Sequence, residues 1–287
     1  MPQETVLSLL KKTTAFLVEK GIDEAKRSAE YLLAHALGQK RLQLYLRFDQ
    51  PVSDEELERY RPLVRRRLRR EPVQHIIGGT EFYGLEFGVS PEVLIPRPET
   101  EHLIEAVVDR CRASARAGTH ILDIGTGSGV IAVTLARQLP EIRVTAIDNS
   151  DAALSVAADN ARLNAVDDRI VFSRLDFLAA EPGTGPYDIV VSNPPYIPAD
   201  DMATLQPEVR DFEPSSALTD HADGLTFYRR IALLLPSLLV RQGLLAVEIG
   251  YGQAADVVAL FESAHLREIE IIRDYSGIER IILGRAS

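Results

Sequence analysis

The chain has 287 residues, of which 46% are hydrophobic and 26% are charged, and its formal net charge is −10. Two domains with separate cores fit this length, while the acidic balance argues against broad non-specific binding of nucleic acid. The single cysteine, Cys111, excludes an internal disulfide and fits a reducing cytoplasm. The histidines are scattered without metal-ligand spacing, and the apolar stretch of residues 231–240 is too short to span a membrane. We therefore expect a cytoplasmic protein with no metal site and no membrane contact.

Residues 1–77 are predicted to form a helical domain. Apolar residues recur on one helical face in residues 6–17 and again in residues 25–37. Ser53 and Glu56 have the spacing of a capping box, which predicts that a further helix begins there.

This further helix contains a proline and a run of arginines. Pro62 lies inside it and predicts a kink or two shorter helices. Six arginines lie in residues 61–70. They form either a contact surface for RNA or an acidic partner, or simply a solvated helix face.

Residues 78–98 consist of short alternating runs broken by glycine and proline, which predicts a β-hairpin linking two domains. A helix is expected at residues 101–111, and from there to the C-terminus apolar runs alternate with helical patterns. The predicted strands are residues 120–125, 143–148, 169–176, 187–192, 243–250, 266–274 and 278–285. The short connection between the last two predicts that they pair as a hairpin. Residues 99–287 are thus predicted to be an α/β domain with a doubly wound, mostly parallel sheet and an antiparallel edge strand.

A glycine-rich loop, Asp-Ile-Gly-Thr-Gly-Ser-Gly at residues 123–129, follows the first of these strands and opens a helix. Glycine allows sharp turns and a close approach of a ligand to the backbone. Asp148 ends the next strand, where an acidic residue commonly holds the ribose of an adenosine-type cofactor. The spacing Gly125, Gly127, Gly129 is typical of S-adenosylmethionine sites, but the sequence from Gly127 also satisfies the loose dinucleotide pattern. The loop alone leaves both cofactors open.

The sequence Asn-Pro-Pro-Tyr at residues 193–196 follows the fourth strand, at the same edge of the predicted sheet. The Asn193 side-chain oxygen and the Pro194 carbonyl can accept both hydrogens of one NH2 group, which orients the nitrogen and increases its electron density. Tyr196 can stack on a planar group. A hydride-transfer enzyme has no evident use for such a loop, whereas a methyltransferase acting on an amide or amine nitrogen does.

Together the two loops resemble class I methyltransferases that modify exocyclic or amide nitrogens, including N6-adenine methyltransferases of nucleic acids. Four further segments restrict the resemblance to a smaller group of these enzymes: EFYGLEF, LIPRPETE, VRDFEP and RDYSGIERIILGR. With these, nearly the whole chain resembles the bacterial HemK/PrmC group of protein-(glutamine-N5) methyltransferases, which act on peptide chain release factors.

This resemblance implies a class I methyltransferase fold, S-adenosylmethionine as cofactor and S-adenosylhomocysteine as product. The implied cofactor-binding residues are Gly125, Thr126, Gly127, Ser128, Gly129, Asp148, Phe177 and Asn193. The implied substrate-binding residues are Asn193, Pro194, Pro195, Tyr196 and Arg97, of which Asn193, Pro194 and Tyr196 are catalytic. Phe177 matches a position that often carries tryptophan and flanks the adenine.

The implied substrate is the glutamine of the Gly-Gly-Gln motif in class 1 release factors, with the helical domain recognising the release factor. We expect a monomer that does not bind nucleic acid directly. The alternatives are an N6-adenine DNA or RNA methyltransferase, a glutamine methyltransferase of a ribosomal protein, a nicotinamide oxidoreductase, and a non-catalytic ribosome-associated module. The segment LIPRPET fits the release-factor branch better than the ribosomal one.

Overall fold

The computed structural model of the protein describes residues 4–114 and 118–287. Residues 1–3 and 115–117, which fall within the predicted domains, lie outside the described residues. The described chain forms two compact units. The helical unit comprises residues 4–79 and Gln206–Phe212, and the sheet unit comprises the remaining described residues.

The elements are as follows in chain order. The α-helices are α1 (Val6–Glu19), α2 (Ala25–Ala36), α3 (Arg41–Leu46), α4 (Asp54–Leu68), α5 (Val73–Ile77), α6 (Thr100–Ser114), α7 (Val130–Gln138), α8 (Asp151–Leu163), α9 (Pro207–Arg210), α10 (Ser215–Leu218), α11 (Thr226–Leu238) and α12 (Ala254–Ser263). The strands are β1 (Gly79–Phe82), β2 (Leu85–Gly88), β3 (His120–Ile124), β4 (Arg143–Asp148), β5 (Ile170–Arg174), β6 (Tyr187–Ser192), β7 (Leu239–Glu248), β8 (Arg267–Arg273) and β9 (Glu279–Arg285). None of the described helices is long and apolar enough to cross a bilayer.

Helix α4 begins with the predicted capping box. The Ser53 hydroxyl accepts the Glu56 N–H, and the Glu56 carboxylate accepts the Ser53 N–H. The helix then continues through Pro62, so the division into two shorter helices that the proline suggested does not occur. Pro62 removes the hydrogen bond to the Glu58 carbonyl. Both residues are exposed, so water can satisfy that carbonyl.

Three of the six arginines form ion pairs with carboxylates of the helical unit. Arg67 is buried, and its Nη1 lies 2.9 Å from Glu208 Oε1. Arg70 Nη1 lies 3.3 Å from the same oxygen. Arg66 donates from Nε to Glu71 Oε2 at 2.8 Å. The exposed members of the run are Arg61, Arg65 and Arg69. The run is therefore a partly structural feature, which neither of the sequence-based interpretations anticipated.

The linker hairpin is shorter than predicted. Its two strands, β1 and β2, end at Gly88, and residues 89–98 contain no strand. Three prolines, Pro91, Pro96 and Pro98, lie in the second half of the predicted segment. Proline lacks an N–H and so cannot continue a ladder of hydrogen bonds.

The sheet unit contains a seven-stranded sheet in the order β5-β4-β3-β6-β7-β9-β8. The strands from β5 to β7 in this order are parallel, while β9 is antiparallel to both β7 and β8. The prediction of a doubly wound, mostly parallel sheet with an antiparallel pair at its edge is confirmed. The strand order reverses between β3 and β6, where open α/β sheets bind ligands beyond the carboxyl ends of their strands.

Helices cover both faces of the sheet. Ile121 and Ile189 belong to a core cluster that includes α6 and α7, whereas Leu122 and Val190 belong to one that includes α11 and α12. Successive residues of a strand point to opposite faces. The central strands are therefore buried on both sides, which explains their continuous apolar sequences.

Candidate active site

A cavity of about 170 Å³ lies at the carboxyl ends of β3, β4 and β6. The predicted site residues in its wall are Arg97, Gly125, Thr126, Gly127, Ser128, Asp148, Phe177, Asn193 and Pro195. The predicted residues outside the wall are Gly129, Pro194 and Tyr196. The structure therefore brings together the glycine loop, the acidic end of β4 and the first residue of the Asn-Pro-Pro-Tyr loop.

The glycine loop is shaped by backbone conformations that other residues rarely adopt. Gly127 and Gly129 have φ values of +52° and +78°. A Cβ on Gly129 would lie 3.0 Å from Ala157 Cβ, so the absence of a side chain also lets α8 pack closely. The N–H groups of Gly125 and Thr126 donate to the Ile147 carbonyl, which fixes the start of the loop to the end of β4.

Asp148 stabilises the loop while facing the cavity. Its Oδ2 accepts the Gly127 N–H and its Oδ1 accepts the Ser150 N–H, each at 2.9 Å. A carboxylate has about four acceptor positions, so the two oxygens can accept further hydrogen bonds from ligand hydroxyls. Phe177 is buried and lines the same cavity, where its ring can flank a planar base.

Asp123, at the start of the glycine motif, was not among the predicted site residues. It is completely buried, and its Oδ2 accepts the Thr126 hydroxyl at 2.7 Å. Its Oδ1 has no hydrogen-bond partner among the described residues. Burial raises the pKa of Asp123 to about 7, although hydrogen bonds from the Thr126 hydroxyl and the Ala132 N–H oppose this effect.

Asn193 is joined to a buried polar network. Its Nδ2 donates to Thr100 Oγ1 at 3.1 Å, and Thr100 Oγ1 donates to Glu248 Oε2 at 2.6 Å. The Tyr196 hydroxyl donates to the other oxygen, Glu248 Oε1, at 3.3 Å. One buried carboxylate at the end of β7 therefore connects to both ends of the Asn-Pro-Pro-Tyr loop.

The backbone of the same loop is held from its far end. Gln253 Nε2 donates to the Tyr196 carbonyl at 2.9 Å, while Gln253 Oε1 accepts the Gly250 N–H. A Cβ on Gly224 would collide with the Tyr196 carbonyl. By contrast, no hydrogen bond to the carbonyl of the buried Pro194 is found among the described residues.

Arg97 contacts a second buried carboxylate. Its Nη2 donates to Glu213 Oε1, and Glu213 Oε2 accepts the Ile95 N–H at 3.1 Å. Glu213 is 6% exposed, so the pair holds the 95–97 segment beside the cavity. Arg97 is also part of the cavity wall.

Asn160 of α8 links the glycine loop to the hairpin. Its Nδ2 donates to the Ser128 carbonyl at 2.8 Å and to the Gly88 carbonyl at 3.0 Å. Its Oδ1 accepts the Gly88 N–H at 2.7 Å. All of its side-chain polar atoms are thus bonded to backbone groups of the two loops.

Sequence reasoning missed Thr100, Glu213 and Glu248 as parts of the site. Charged residues are seldom fully buried without a partner, and Glu248 follows an uninterrupted apolar run at the end of a predicted strand. That pattern was the available signal for Glu248. Thr100 and Glu213 lie in the segments LIPRPETE and VRDFEP, but nothing local in those segments indicates their partners.

Two family models match this chain. The family model described as the PrmC N-terminal domain matches residues 8–78, and the one described as the methyltransferase small domain matches residues 100–206. Among solved structures, the hMettl16 catalytic domain in complex with a MAT2A 3′UTR hairpin has a TM-score of 0.59 and 18% identity, covering 74% of this chain and 80% of its own. A methyltransferase from Pyrococcus furiosus has a TM-score of 0.51 and 15% identity, covering 71% and 90%. At these identities the two structures show a shared fold alone.

The curated relatives are much closer in sequence. The release factor glutamine methyltransferase of Chlorobaculum tepidum is 47% identical over 98% of this chain and 98% of its own length. The protein of the same name from Geobacter sulfurreducens is 43% identical over 98% and 96%. Identity at this level over both of the units described above leads to one conclusion: the chain belongs to the release factor glutamine methyltransferase family.

Proposed function

We propose that this protein transfers a methyl group from S-adenosylmethionine to the side-chain amide nitrogen, N5, of the glutamine in the Gly-Gly-Gln motif of class 1 peptide chain release factors, in the cytoplasm. The observation that carries the proposal is the position of Asn193, which lines the same cavity as the glycine loop. Its Nδ2 is already bonded to Thr100, so its Oδ1 is the atom left to accept a hydrogen bond from the substrate.

The residues of the cavity fit S-adenosylmethionine. One wall of the cavity contains three features that suit this cofactor. Gly125 and Gly127 leave the backbone open, Asp148 has free carboxylate lone pairs, and Phe177 supplies an aromatic ring. When bound, the cofactor supplies an electrophilic methyl group on a sulfonium sulfur. We assign its ribose to Asp148 and its adenine to the side of Phe177.

The contribution of the protein to the reaction is orientation and electrostatics. An amide nitrogen is a poor nucleophile because its lone pair is delocalised into the carbonyl. Asn193 Oδ1 and the Pro194 carbonyl accept its two hydrogens, which aims the nitrogen and stabilises the positive charge that develops on it. The nitrogen loses one proton to solvent as it gains the methyl group, because the two carbonyl oxygens that hold its hydrogens accept hydrogen bonds but are too weakly basic to keep a proton.

The test of the proposed function uses labelled S-adenosylmethionine with a purified class 1 release factor. A second sample contains the same factor with the glutamine of its Gly-Gly-Gln motif replaced. We expect label on the first factor and none on the second. Label on DNA or RNA instead, or on both factors equally, would contradict the proposal.

The variant Asn193→Ala tests the assigned role of the asparagine. We expect kcat to fall on the order of a hundredfold, the usual effect of removing one preorganised hydrogen-bonding group from a transition state. Binding of S-adenosylmethionine, measured by calorimetry, should be largely retained. Asn164→Ala is the matched control, since Asn164 belongs to the same unit but does not line the cavity. Methyl transfer by Asn193→Ala at the rate of this control would overturn the role.

A further inference from the structure

Two buried side chains, Thr100 and Glu248, are hydrogen-bonded in series to Asn193, and Thr100 also lines the cavity. We propose that Thr100 and Glu248 are positioning residues, which hold the Asn193 amide in the one orientation that presents its oxygen to the substrate. This inference rests on the proposed function. It adds two side chains that determine which end of the Asn193 amide, the oxygen or the NH2 group, faces the substrate.

The device consists of two hydrogen bonds in series. Asn193 Nδ2 donates to Thr100 Oγ1 at 3.1 Å, and Thr100 Oγ1 donates to Glu248 Oε2 at 2.6 Å. Thr100 and Glu248 are each 1% exposed, so water does not compete for their hydrogen bonds. Thr100 is the first residue of α6 and Glu248 the last of β7, so both side chains are held by regular elements.

The charge on Glu248 determines the direction of both bonds. An ionised carboxylate only accepts hydrogen bonds, and a threonine hydroxyl has a single proton to donate. That proton goes to Glu248, which leaves only lone pairs of Thr100 Oγ1 facing Asn193. An Asn193 amide rotated by about 180° would set its oxygen against the threonine oxygen with no proton between them. The carboxylate therefore selects the orientation in which Nδ2 faces Thr100.

This orientation is the one that the substrate needs. The NH2 group of a glutamine side chain is a donor and requires an acceptor opposite it. In the rotated amide, two NH2 groups would face each other, and the Pro194 carbonyl would be the sole remaining acceptor of this pair. The nitrogen would then be held at one hydrogen instead of two.

Glu248 also holds the other end of the loop. The Tyr196 hydroxyl donates to its Oε1 at 3.3 Å. Tyr228 donates to the main-chain carbonyl of Glu248 at 2.8 Å and so leaves both side-chain oxygens to Thr100 and Tyr196. The Glu248 carboxylate thus bonds on one side to Thr100, which holds the Asn193 amide, and on the other side to Tyr196, the last residue of the Asn-Pro-Pro-Tyr loop.

The same arrangement makes the device sensitive to pH. The groups that face Glu248 are Thr100, Tyr196, Tyr228, Arg280 and Glu99. Burial raises the pKa of Glu248 to about 7, against the opposing hydroxyl bonds and the charge of Arg280. A protonated Glu248 can donate to Thr100, whose own proton then becomes available to the oxygen of a rotated Asn193. We expect kcat to fall as the pH is lowered through about 7.

Kinetics of three variants test the device. Thr100→Val keeps the shape of the side chain and removes the hydroxyl, and we expect kcat to fall roughly tenfold to a hundredfold, the scale of a misplaced reacting group, with little change in Kd for S-adenosylmethionine. Thr100→Ser keeps the hydroxyl and should restore most of the activity and the pH dependence. Tyr228→Phe is the matched control, since it removes an equally buried hydroxyl from the main chain of Glu248 and leaves the side-chain network intact.

A readout without substrate separates this inference from the proposed function. In ¹⁵N NMR spectra, the Asn193 side-chain NH2 should exchange slowly with water in the wild type, in Thr100→Ser and in Tyr228→Phe, and rapidly in Thr100→Val. An unchanged exchange rate in Thr100→Val, or unchanged kcat, would overturn the inference. Slow exchange that depends on Thr100, in a wild type that does not methylate release factors, would instead reject the proposed function and retain the positioning role.

Discussion

Asp123 combines complete burial with a carboxyl oxygen that has no partner among the described residues. Ionising such a group is costly, because the protein interior solvates charge poorly and the hydrogen bonds from the Thr126 hydroxyl and the Ala132 N–H compensate only in part. Its pKa is accordingly raised from 3.8 to about 7. The folded protein therefore retains a proton on Asp123 at pH values where the unfolded chain has already lost it.

This difference predicts how the free energy of unfolding depends on pH. The stabilising contribution of protonated Asp123 is complete below about pH 4 and is lost as the pH rises towards about 7, because the folded state binds the extra proton in that interval. At roughly 1.4 kcal/mol per pKa unit, the loss is on the order of 4 kcal/mol. Asp123→Asn cannot titrate, so we expect its stability to fall less between these pH values.

Chemical denaturation of the wild type and of Asp123→Asn across this pH interval measures the effect. Glu248, whose pKa is also raised to about 7 by burial, acts with the same sign and leaves part of the slope in the variant. The control is Asp168→Asn, at a side chain that is 81% exposed. Equal slopes in the wild type and in Asp123→Asn would contradict the assignment.

At the level of elements, the junction of the glycine loop with α7 depends on a close approach of α8. Gly129 caps α7 in the left-handed region, with φ +78°. A Cβ placed there would lie 3.0 Å from Ala157 Cβ and 3.1 Å from Ala157 Cα. Two separate costs, backbone strain and overpacking, therefore oppose any side chain at this position.

Gly129→Ala should lose more stability than Gly125→Ala, and the difference isolates the overpacking. Gly125 has a similar φ of +72°, but a Cβ there meets nothing within 4 Å among the described residues. We expect Gly125→Ala to lose roughly 1–2 kcal/mol from the left-handed conformation, and Gly129→Ala to lose about 1–3 kcal/mol more. Urea denaturation of both variants without ligand measures this difference. Equal losses would mean that α8 moves away without cost.

Apolar periodicity located most elements of the sheet unit but did not place every boundary. The strand predicted at residues 187–192 has the bounds of β6. Helical periodicity extends over residues 224–240, but α11 ends at Leu238, and β7 begins at the next residue, earlier than the predicted residue 243. A short run such as Leu-Leu-Val is compatible with either a buried strand or a buried helix. Leu239 pairs with Tyr187 of β6, and this pairing places the end of the run in a strand.

Across the whole molecule, contiguous motifs of the site can be predicted from the sequence, whereas contacts between residues far apart in the sequence cannot. The glycine loop and residues 193–196 are contiguous motifs at strand ends, and a predicted parallel sheet places such ends at one edge. Thr100 and Glu248 lie 148 residues apart in sequence, and their contact depends on the register of β7 and the start of α6. No spacing rule connects such residues before the fold is known.

The membership of Gln206–Phe212 in the helical unit is a second long-range feature that the sequence did not indicate. The chain leaves the sheet unit after Leu205 and returns to it at Glu213. Within the helical unit, Glu208 lies against Arg67 of α4, and Arg67 Nε also donates to Ser28 of α2 at 3.2 Å. The charge of the buried Arg67 guanidinium is thus compensated by a carboxylate from a distant part of the chain.

Removing that carboxylate should destabilise the helical unit more than breaking an exposed ion pair. Glu208→Leu leaves Arg67 buried without its anionic partner, and the expected loss is about 3–5 kcal/mol. The double variant Arg67→Met with Glu208→Leu should recover most of it, since neither charge of the pair remains. The exposed pair Lys20–Glu19 of the same unit is the control, where Glu19→Ala should cost less than about 1 kcal/mol. Native-state hydrogen exchange in α2 and α4 measures these differences within the helical unit itself. If Glu208→Leu leaves that exchange unchanged, the segment does not stabilise the unit through Arg67.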